Sequence, residues 1–399
     1  MAWRNTFRAL RHRNYRLFFA GQIISLVGTW MQNVAVNWLV YRLTHSEFLL
    51  GMTMFCTHAP VFFLGPLGGV VADRYSRHRI VVIAQSLFLA QAVALSVLTL
   101  TGHITVPMVL GLSLLLGFCN AFEIPARQSL LVLLTSKEDL LSAISLNSFT
   151  FNSSRVLGPA IAGVLVAAVG EGVCFAVNAA SFVAVIACLL AMRLAPASPA
   201  RHESPVEGLL LGIRYVRSSR PVRSVLMLMA AATVAGTPIL VLAPFFADAI
   251  FRRGSAGFGI LSAAFGLGAV AGTLTLARRG HAGGLSRIIF FSTSGLALGM
   301  ALFSVSPAFG LSLAIMLSIG FCVMRQNASA NTFVQTTVPD EFRGRIMAFY
   351  SMTVVGLSPF GSLAAGALAS RVGPRLTVAA GSAICICAAL AFRFAMRMK

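Results

Sequence analysis

Charged side chains are what this sequence has least of. Asp, Glu, Lys and Arg make up 11% of its 399 residues, where soluble globular domains carry about a quarter. Acids are the scarcer sign, 11 against 31 Lys and Arg. That shortage disfavours a soluble enzyme and a disordered chain. Zinc spacing and Cys-x-x-Cys pairs are also missing. The seven cysteines (56, 119, 174, 188, 322, 385 and 387) lie in apolar stretches, which reads as small buried hydrophobes rather than a disulfide framework. No Gly-x-x-x-x-Gly-Lys-Ser/Thr loop is present to cradle a nucleotide, so any uphill work must draw on an ion gradient. Ser residues and Cys119 lack a base at motif spacing, and His58 and Asp248 stand alone. Neither a hydrolase constellation nor a metal site is read from them.

What the chain has in excess is apolar surface. The Ala, Val, Ile, Leu, Met, Phe, Trp, Tyr and Cys set makes up 57% of it, and that excess must face lipid or other helices. A membrane-spanning helix needs about 20 mostly apolar residues. Twelve segments meet the need: 17–40, 48–71, 80–101, 106–134, 140–169, 172–192, 222–249, 256–277, 286–305, 308–336, 346–369 and 375–393. Several, such as Val81–Leu100, read as hydrophobic all round, which suits lipid-embedded helices. Barrel strands would be short and alternate polar with apolar. The expected fold is therefore all-α and integral to the membrane. With the N-terminus inside, 23 Lys and Arg fall on the cytoplasmic side, five outside and three within spans, so both termini are expected in the cytoplasm. The asymmetry explains a net charge of +20 without nucleic acid and points to anionic lipid at the inner leaflet. The basic N-terminal stretch is not read as a signal peptide, because the apolar run behind it is long and carries Gln22, Gln32, Asn33 and Asn37.

One substantial break, 193–223, holds six Arg with Pro196, Pro199, Pro205 and Pro221. Two readings are open for it. Leu209, Leu210, Ile213 and Val216 share a helical face opposite Arg214 and Arg217, as in a helix lying in the membrane interface; alternatively the break is a solvated linker. It separates expected six-helix bundles at 1–192 and 222–399, with the linker at 193–221. The halves resemble each other. Gly117-Phe118-Cys119 recurs as Gly320-Phe321-Cys322, Glu138 as Glu341, Gly158 as Gly361, Gly163 as Gly366 and Gly170 as Gly373, all at an offset of 203. Such parallel repeats place a transporter's substrate near the midplane and move one half against the other.

The second segment runs into Gly69-Val-Val-Ala-Asp73-Arg74-Tyr-Ser-Arg77-His-Arg79. This resembles the signature loop of the major facilitator superfamily, Gly-x-x-x-Asp-Arg/Lys-x-x-Arg/x-Arg/Lys, at its expected place between helices 2 and 3. Gly69 permits close helix contact, and Asp73 offers negative charge to a helix N-terminus or an Arg. The resemblance implies that the acid latches the two halves on the cytoplasmic side, toward the start of helix 11. Arg343, Arg345 and the local amides are the candidates there. The matching loop of the second half, Ala277-Arg278-Arg279-Gly280-His281, has Ala where the acid would stand, so the latch is one-sided. The other reading is that Asp73, Arg74 and Arg77 only set topology.

A second set extends the resemblance over nearly the whole chain. Asn14-Tyr15-Arg16-Leu17-Phe18, Phe122-Glu123-Ile-Pro125-Ala126-Arg127-Gln128, Ala143-Ile-Ser-Leu-Asn147 and Phe151-Asn152-Ser-Ser-Arg155 are similar to the branch containing enterobactin exporters and macrolide or multidrug efflux proteins. Gly158-Pro159-x-x-Ala162-Gly163 resembles the helix 5 motif of proton-coupled exporters, with Ser154 and Ala162 standing where that motif usually has Gly. The resemblance implies twelve helices in two pseudo-symmetric bundles, proton-driven export of a small molecule, no cofactor, and function as a monomer.

The charges inside the spans carry the chemistry. Arg155 lies about 22 Å along its segment, near mid-depth, where an Arg is costly and needs a partner. Glu123 on the antiparallel fourth segment is level with it to within about 6 Å, inside the reach of a long side chain. Glu123 and Arg127 also have the i, i+4 spacing for pairing, and Asn120 continues their face. Two arginines thus compete for one carboxylate. Protonating Glu123 would release both; a permanent ion-pair cluster is the alternative. Arg325, Gln326, Asn327 and Asn331 make the tenth segment too polar for lipid, and Arg155, Arg325 and Arg127 suit a carboxylate, catecholate or phosphate group. Trp30, Asn33 and Asn37 share a face of the first segment, fit either to bind a ligand or to join helices.

Taken together, the sequence predicts a secondary transporter of the major facilitator superfamily that exports a siderophore-like or drug-like molecule. Uptake or facilitated diffusion of an organic anion, and a non-transporting scaffold, are the competing readings. Asp73→Asn is expected to lower transport about fivefold, the worth of one charge at a helix end, and to change cysteine accessibility at the two gates. Unchanged transport and accessibility would leave the latch without support.

Overall fold

In hydrocarbon a peptide group can be satisfied only by the protein itself, and each apolar segment meets that demand as a helix. The structure, a computed structural model, describes residues 7–136, 138–193, 205–277 and 283–397, and these contain helices and turns but no strand. A 3-10 turn at Arg8–Arg11 precedes α1 (Arg13–Thr44), α2 (Glu47–Arg74), α3 (Arg77–Leu100), α4 (Val106–Leu133), α5 (Leu140–Val169) and α6 (Glu171–Leu190). The connecting segment forms α7 (Pro205–Ser218). Then come α8 (Arg220–Gly236), α9 (Gly254–Ala277), α10 (Leu285–Val305), α11 (Phe309–Thr337), α12 (Asp340–Ser351), α13 (Ser358–Val372) and α14 (Pro374–Arg397). Twelve helical spans among the described residues are long and apolar enough to cross a membrane, as the sequence predicts.

Two of those spans are interrupted, which hydropathy does not reveal. The seventh runs from α8 through the short pieces Pro238–Val241 and Ala243–Phe245 into a π turn at Phe246–Ile250. Pro238 and Pro244 have no N–H to give the helical ladder, so the chain re-forms around them. The eleventh starts earlier than its apolar run, as α12, and widens into a π turn at Met352–Gly356 ahead of Pro359 on α13.

The chain forms two compact units. Unit 1 comprises Met1–Thr44, Cys56–Arg201 and Gly254–Ala263; unit 2 comprises His45–Phe55, His202–Arg253 and Ala264–Lys399. In unit 1, α1 packs on α5 and α6, and α3 on α4 and α6, around Tyr15, Phe18, Phe88, Leu130, Phe182 and Leu189. A chain of buried amides crosses this unit. Asn178 Nδ2 donates to Gln32 Oε1 at 2.8 Å, Gln32 Nε2 to Gln91 Oε1 at 3.0 Å, and Gln91 Nε2 to the Leu112 carbonyl at 3.4 Å. Helix α3 is therefore not apolar all round as its sequence average suggests: Gln85 and Gln91 are both buried within it. In unit 2, α10 packs on α11 and α14, and α14 on α8, around Val222, Leu226, Met229, Ile289, Val334 and Phe392.

The predicted linker helix exists as α7, but part of its apolar face is spent on protein. Tyr215 stacks on Phe342 of α12 with centroids 4.9 Å apart, and Val216 joins the unit 2 core, while Arg214 and Arg217 are exposed. The side chains of Leu209 and Leu210 lie outside the described residues, as do Lys137 and the second-half loop Arg278–His281.

The sequence repeat has a structural counterpart. A Cβ on Gly158 would stand 2.9 Å from the Val27 carbonyl of α1, and one on Gly361 would stand 2.9 Å from Val234 Cα of α8. One residue type thus permits the same close crossing in each unit. Gly170 and Gly373, at the repeat-related turns before α6 and α14, share φ/ψ values of 85°/171° and 86°/160°. Only Gly populates that region without strain. No atom lies within 4 Å of a Cβ at either position, so substitution there tests the backbone alone. Gly170→Ala and Gly373→Ala are each expected to destabilise by about 1–3 kcal/mol, read as a lowered melting temperature of the purified protein; an unchanged Tm would show that the turns relax.

Candidate functional site

Glu123 is the one acid set in the middle of a span. The other nine acids among the described residues stand at helix ends, in connecting segments, in the amphipathic α7 or in the π turn that closes the seventh span. On α4, Glu123 is 3% exposed. Its Oε1 receives Arg127 Nε at 2.9 Å across one helical turn, and Gln85 Nε2 of α3 at 3.5 Å. Asn120 continues that face and is half-buried. A buried carboxylate survives in such a place only when paired and hydrogen-bonded, and Arg127 supplies most of that.

Arg155 of α5 lies 5.8 Å from the ring centroid of Trp30 on α1, and Phe151 meets the same ring edge-on at 5.7 Å. A guanidinium over an indole gains cation–π energy while its edge can still donate hydrogen bonds. Depth along the helices had set Arg155 beside Glu123; the ion pair that the structure gives Glu123 is with Arg127. Asn37 Nδ2 donates to the Asn33 carbonyl of its own helix at 2.9 Å, so this part of the α1 polar face is engaged locally. The α5 motif holds a tight crossing: a Cβ on Gly163 would be 2.8 Å from Gly259 Cα of α9. Helix α5 stays continuous through Pro159, and Ser154 is fully buried.

In unit 2, Arg325 on α11 lies 5.5 Å from the Phe321 ring, one turn away. Gln326, at the repeat position of Glu123, is buried and contacts Met229 Sδ at 3.5 Å. Asn331 Oδ1 accepts from Gln335 Nε2 at 2.6 Å, and the Asn327 carbonyl accepts from the Tyr350 hydroxyl at 2.6 Å.

The signature-loop residues are placed within their own units. Asp73, just before the end of α2, faces Arg77 at 3.7 Å, a half-exposed pair worth little by itself. Arg77 Nε also reaches the Ala72 carbonyl at 3.4 Å. Arg74 is exposed, and a Cβ on Gly69 would meet nothing within 4 Å. Arg343 Nε donates to the Gln335 carbonyl at 3.1 Å, and Arg345 is half-buried. No group of three potential metal-binding side chains occurs among the described residues.

Sequence reasoning missed one cluster altogether. The Asp139 side chain, fully buried ahead of α5, is hydrogen-bonded to His12 Nε2 at 2.8 Å and forms ion pairs with Arg11 Nη2 at 2.7 Å and Arg8 Nε at 3.2 Å. Ala9 N donates to Ser142 Oγ, the Tyr15 hydroxyl to the Ala143 carbonyl, Arg13 to the Ala191 carbonyl and Asn14 to the Arg193 carbonyl. Residues 8–15 are thus strapped across the ends of α5 and α6. The only signal in the sequence was a run of basic residues matched by a distant acid.

The pattern shared by transmembrane secretion effectors matches residues 4–399. The chain belongs to that family of major facilitator transporters. Enterobactin exporter EntS of Shigella boydii serotype 4 is 28% identical over 363 residues, covering 91% of this chain and 87% of its own length. EntS of Escherichia coli O9:H4 is 27% identical over the same coverage. Among solved structures, the nucleoside transporter NupG superposes with a TM-score of 0.73 at 16% identity, covering 96% of this chain and 99% of its own. A bacterial homologue of the human lysosomal transporter Spinster, inward-facing and unoccupied, gives 0.72 at 14% identity, covering 97% of each chain. These structures share the fold. The secretion effector family and its relatives are multi-pass membrane transporters of small molecules, not enzymes, and this chain is one of them.

Asp139 gives a pH prediction. The His12 hydrogen bond, with the charges of Arg11 and Arg8, outweighs burial and holds its carboxyl below the usual range. A depressed folded value means that its contribution is present above the unfolded pKa, about 3.9, and is lost as pH falls through the folded value. Hydrogen exchange at residues 7–16 should stay slow down to about pH 4 and rise below it; in Asp139→Asn it should be fast at neutral pH. Equal protection in the two proteins at pH 7 would show that the strap does not depend on this charge.

Proposed function

We propose that the protein exports a small organic molecule, siderophore-like or drug-like, across the cytoplasmic membrane in exchange for protons. The observation that carries export is similarity to enterobactin exporters over nine-tenths of the chain. Glu123 supports proton coupling: it is the single mid-span acid, and protonation would dissolve its ion pair with Arg127. The two sequence repeats, 1–192 and 222–399, are the bodies that alternate access to either side. Arg155 on Trp30 and Arg325 on Phe321 present cations backed by rings, which suits a substrate with anionic and aromatic character. Asn120, Gln326, Asn331, Asn33 and Asn37 are the further polar candidates for contact with that substrate. Asp73, with Arg74, Arg77, Arg343 and Arg345, forms the cytoplasmic latch. Both termini face the cytoplasm, the basic surface rests on anionic lipid, and one chain suffices for transport.

The same arginines would serve a carrier that takes up an organic anion, and the direction of accumulation separates the two. Everted vesicles energised by respiration should accumulate a catecholate anion, and an uncoupler should abolish this. Glu123→Gln should reduce accumulation to the uncoupled level. Proton-dependent transport fully retained in Glu123→Gln would remove the coupling role, and accumulation only in right-side-out vesicles would reverse the direction.

A further inference from the structure

The amide of Gln85 is only half satisfied. Gln85 is 4% exposed on α3, and its Nε2 donates to Glu123 Oε1 at 3.5 Å. Its own Oε1 is buried with no hydrogen-bond partner. A buried acceptor without a donor costs free energy, and native structures seldom leave one without reason. Here the unpaired oxygen belongs to a side chain that already touches the one mid-span acid.

A primary amide presents a donor and an acceptor at the two ends of one planar group, and a half-turn about its last bond exchanges them. Facing an ionised carboxylate, the amide must offer N–H, as Gln85 does. Facing a protonated carboxyl, the same side chain can turn its oxygen inward and accept the new O–H. Leu or Met could not satisfy both states, because neither has a donor to give.

We propose that Gln85 is the positioning residue of the Glu123 proton site, an adapter that hydrogen-bonds the ionised and the protonated carboxyl in turn by reversing its amide. This rests on the reading of Glu123 as the proton carrier and adds the group that makes the protonated state tenable in a dry site. In the ionised state Glu123 holds Arg127, and Gln85 contributes one long N–H bond to an oxygen that Arg127 already occupies. When a proton arrives from solvent, Glu123 donates its O–H as a hydrogen bond to Gln85 Oε1; when the proton returns to water that O–H bond breaks, the carboxylate re-forms and the amide turns its N–H back to it. Arg127 then loses its anion and is available to an anionic substrate. On the helix of Glu123 the ionisable groups nearest in sequence are Arg127, the ion-pair partner of the carboxylate, and Cys119; Arg155 and His58 are the ionisable side chains inside α5 and α2 besides Cys56. The second unit carries Gln326 and Ile288 at the repeat positions of Glu123 and Gln85, so the device occurs once in the chain.

The test needs no substrate. Full-length protein in lipid nanodiscs is titrated by infrared difference spectroscopy across about pH 3–9, a range wide enough for ordinary and shifted carboxyls alike. The Glu123 carboxyl C=O stretch is assigned as the band lost in Glu123→Gln. In wild type, a glutamine amide C=O band should shift with the same midpoint as the carboxyl, because the amide changes partner. In Gln85→Leu and Gln85→Met, the protonated form loses its acceptor, while the ionised form loses only a long bond. The carboxyl midpoint should therefore move toward acid by about one pH unit, the worth of one hydrogen bond. An unmoved or more alkaline midpoint in both variants, or a wild-type titration with no amide change, overturns the role of Gln85 while leaving Glu123 as the carrier. If Glu123→Gln removes no titrating band, the proton-carrier reading itself fails, and the adapter with it.

Discussion

Without water in the hydrocarbon core, no peptide group and no polar side chain can fall back on solvent. Each apolar segment must close its own backbone ladder, and each polar atom it carries must find a partner on a neighbour. Apolar side chains gain little by leaving lipid for one another, so close packing decides which helices meet. The glycines supply that closeness. Gly158 against α1 and Gly361 against α8 remove the one side chain that would hold those helices apart.

The same constraint explains how unit 1 differs from unit 2. Buried amides in unit 1 are joined across helices, by the Asn178–Gln32–Gln91 chain and by Gln85 with Glu123. At the repeat position of Asn178, unit 2 has Gly381, and Ser294, at that of Gln91, bonds within its own helix. One copy of an ancestral unit thus keeps a polar interior where the other is packed more by apolar contact. Polar cross-links that join four helices favour a stiff body, and the charged chemistry sits inside that body.

Hydropathy and spacing made the spans, the duplication and the signature loop legible, because each depends on residues near in sequence or at one constant offset. The breaks at Pro238 and Pro244 and the π turn before Pro359 escaped, since a window average does not register a lost N–H. Gln85 escaped for the same reason: two amides in a long apolar run hardly alter its mean. Arg155 shows a different limit. Helical rise tells how deep a residue lies but not which way its side chain is turned, so the contact of Arg155 with the Trp30 ring was not legible from depth. Asp139 and its basic partners, about 130 residues apart in sequence, are joined only by the folded bundle.

The strap formed by that last cluster has a consequence for how the protein is made. Residues 8–14 leave the ribosome before their partners, Asp139, Ser142, Ala191 and Arg193, which are synthesised only after four to six spans have followed. Throughout that interval the basic segment has nothing to close upon, and insertion must proceed with it undocked. A segment translated ahead of all six spans is thus among the last of their bundle to be fastened, and its docking reports that those spans have all arrived.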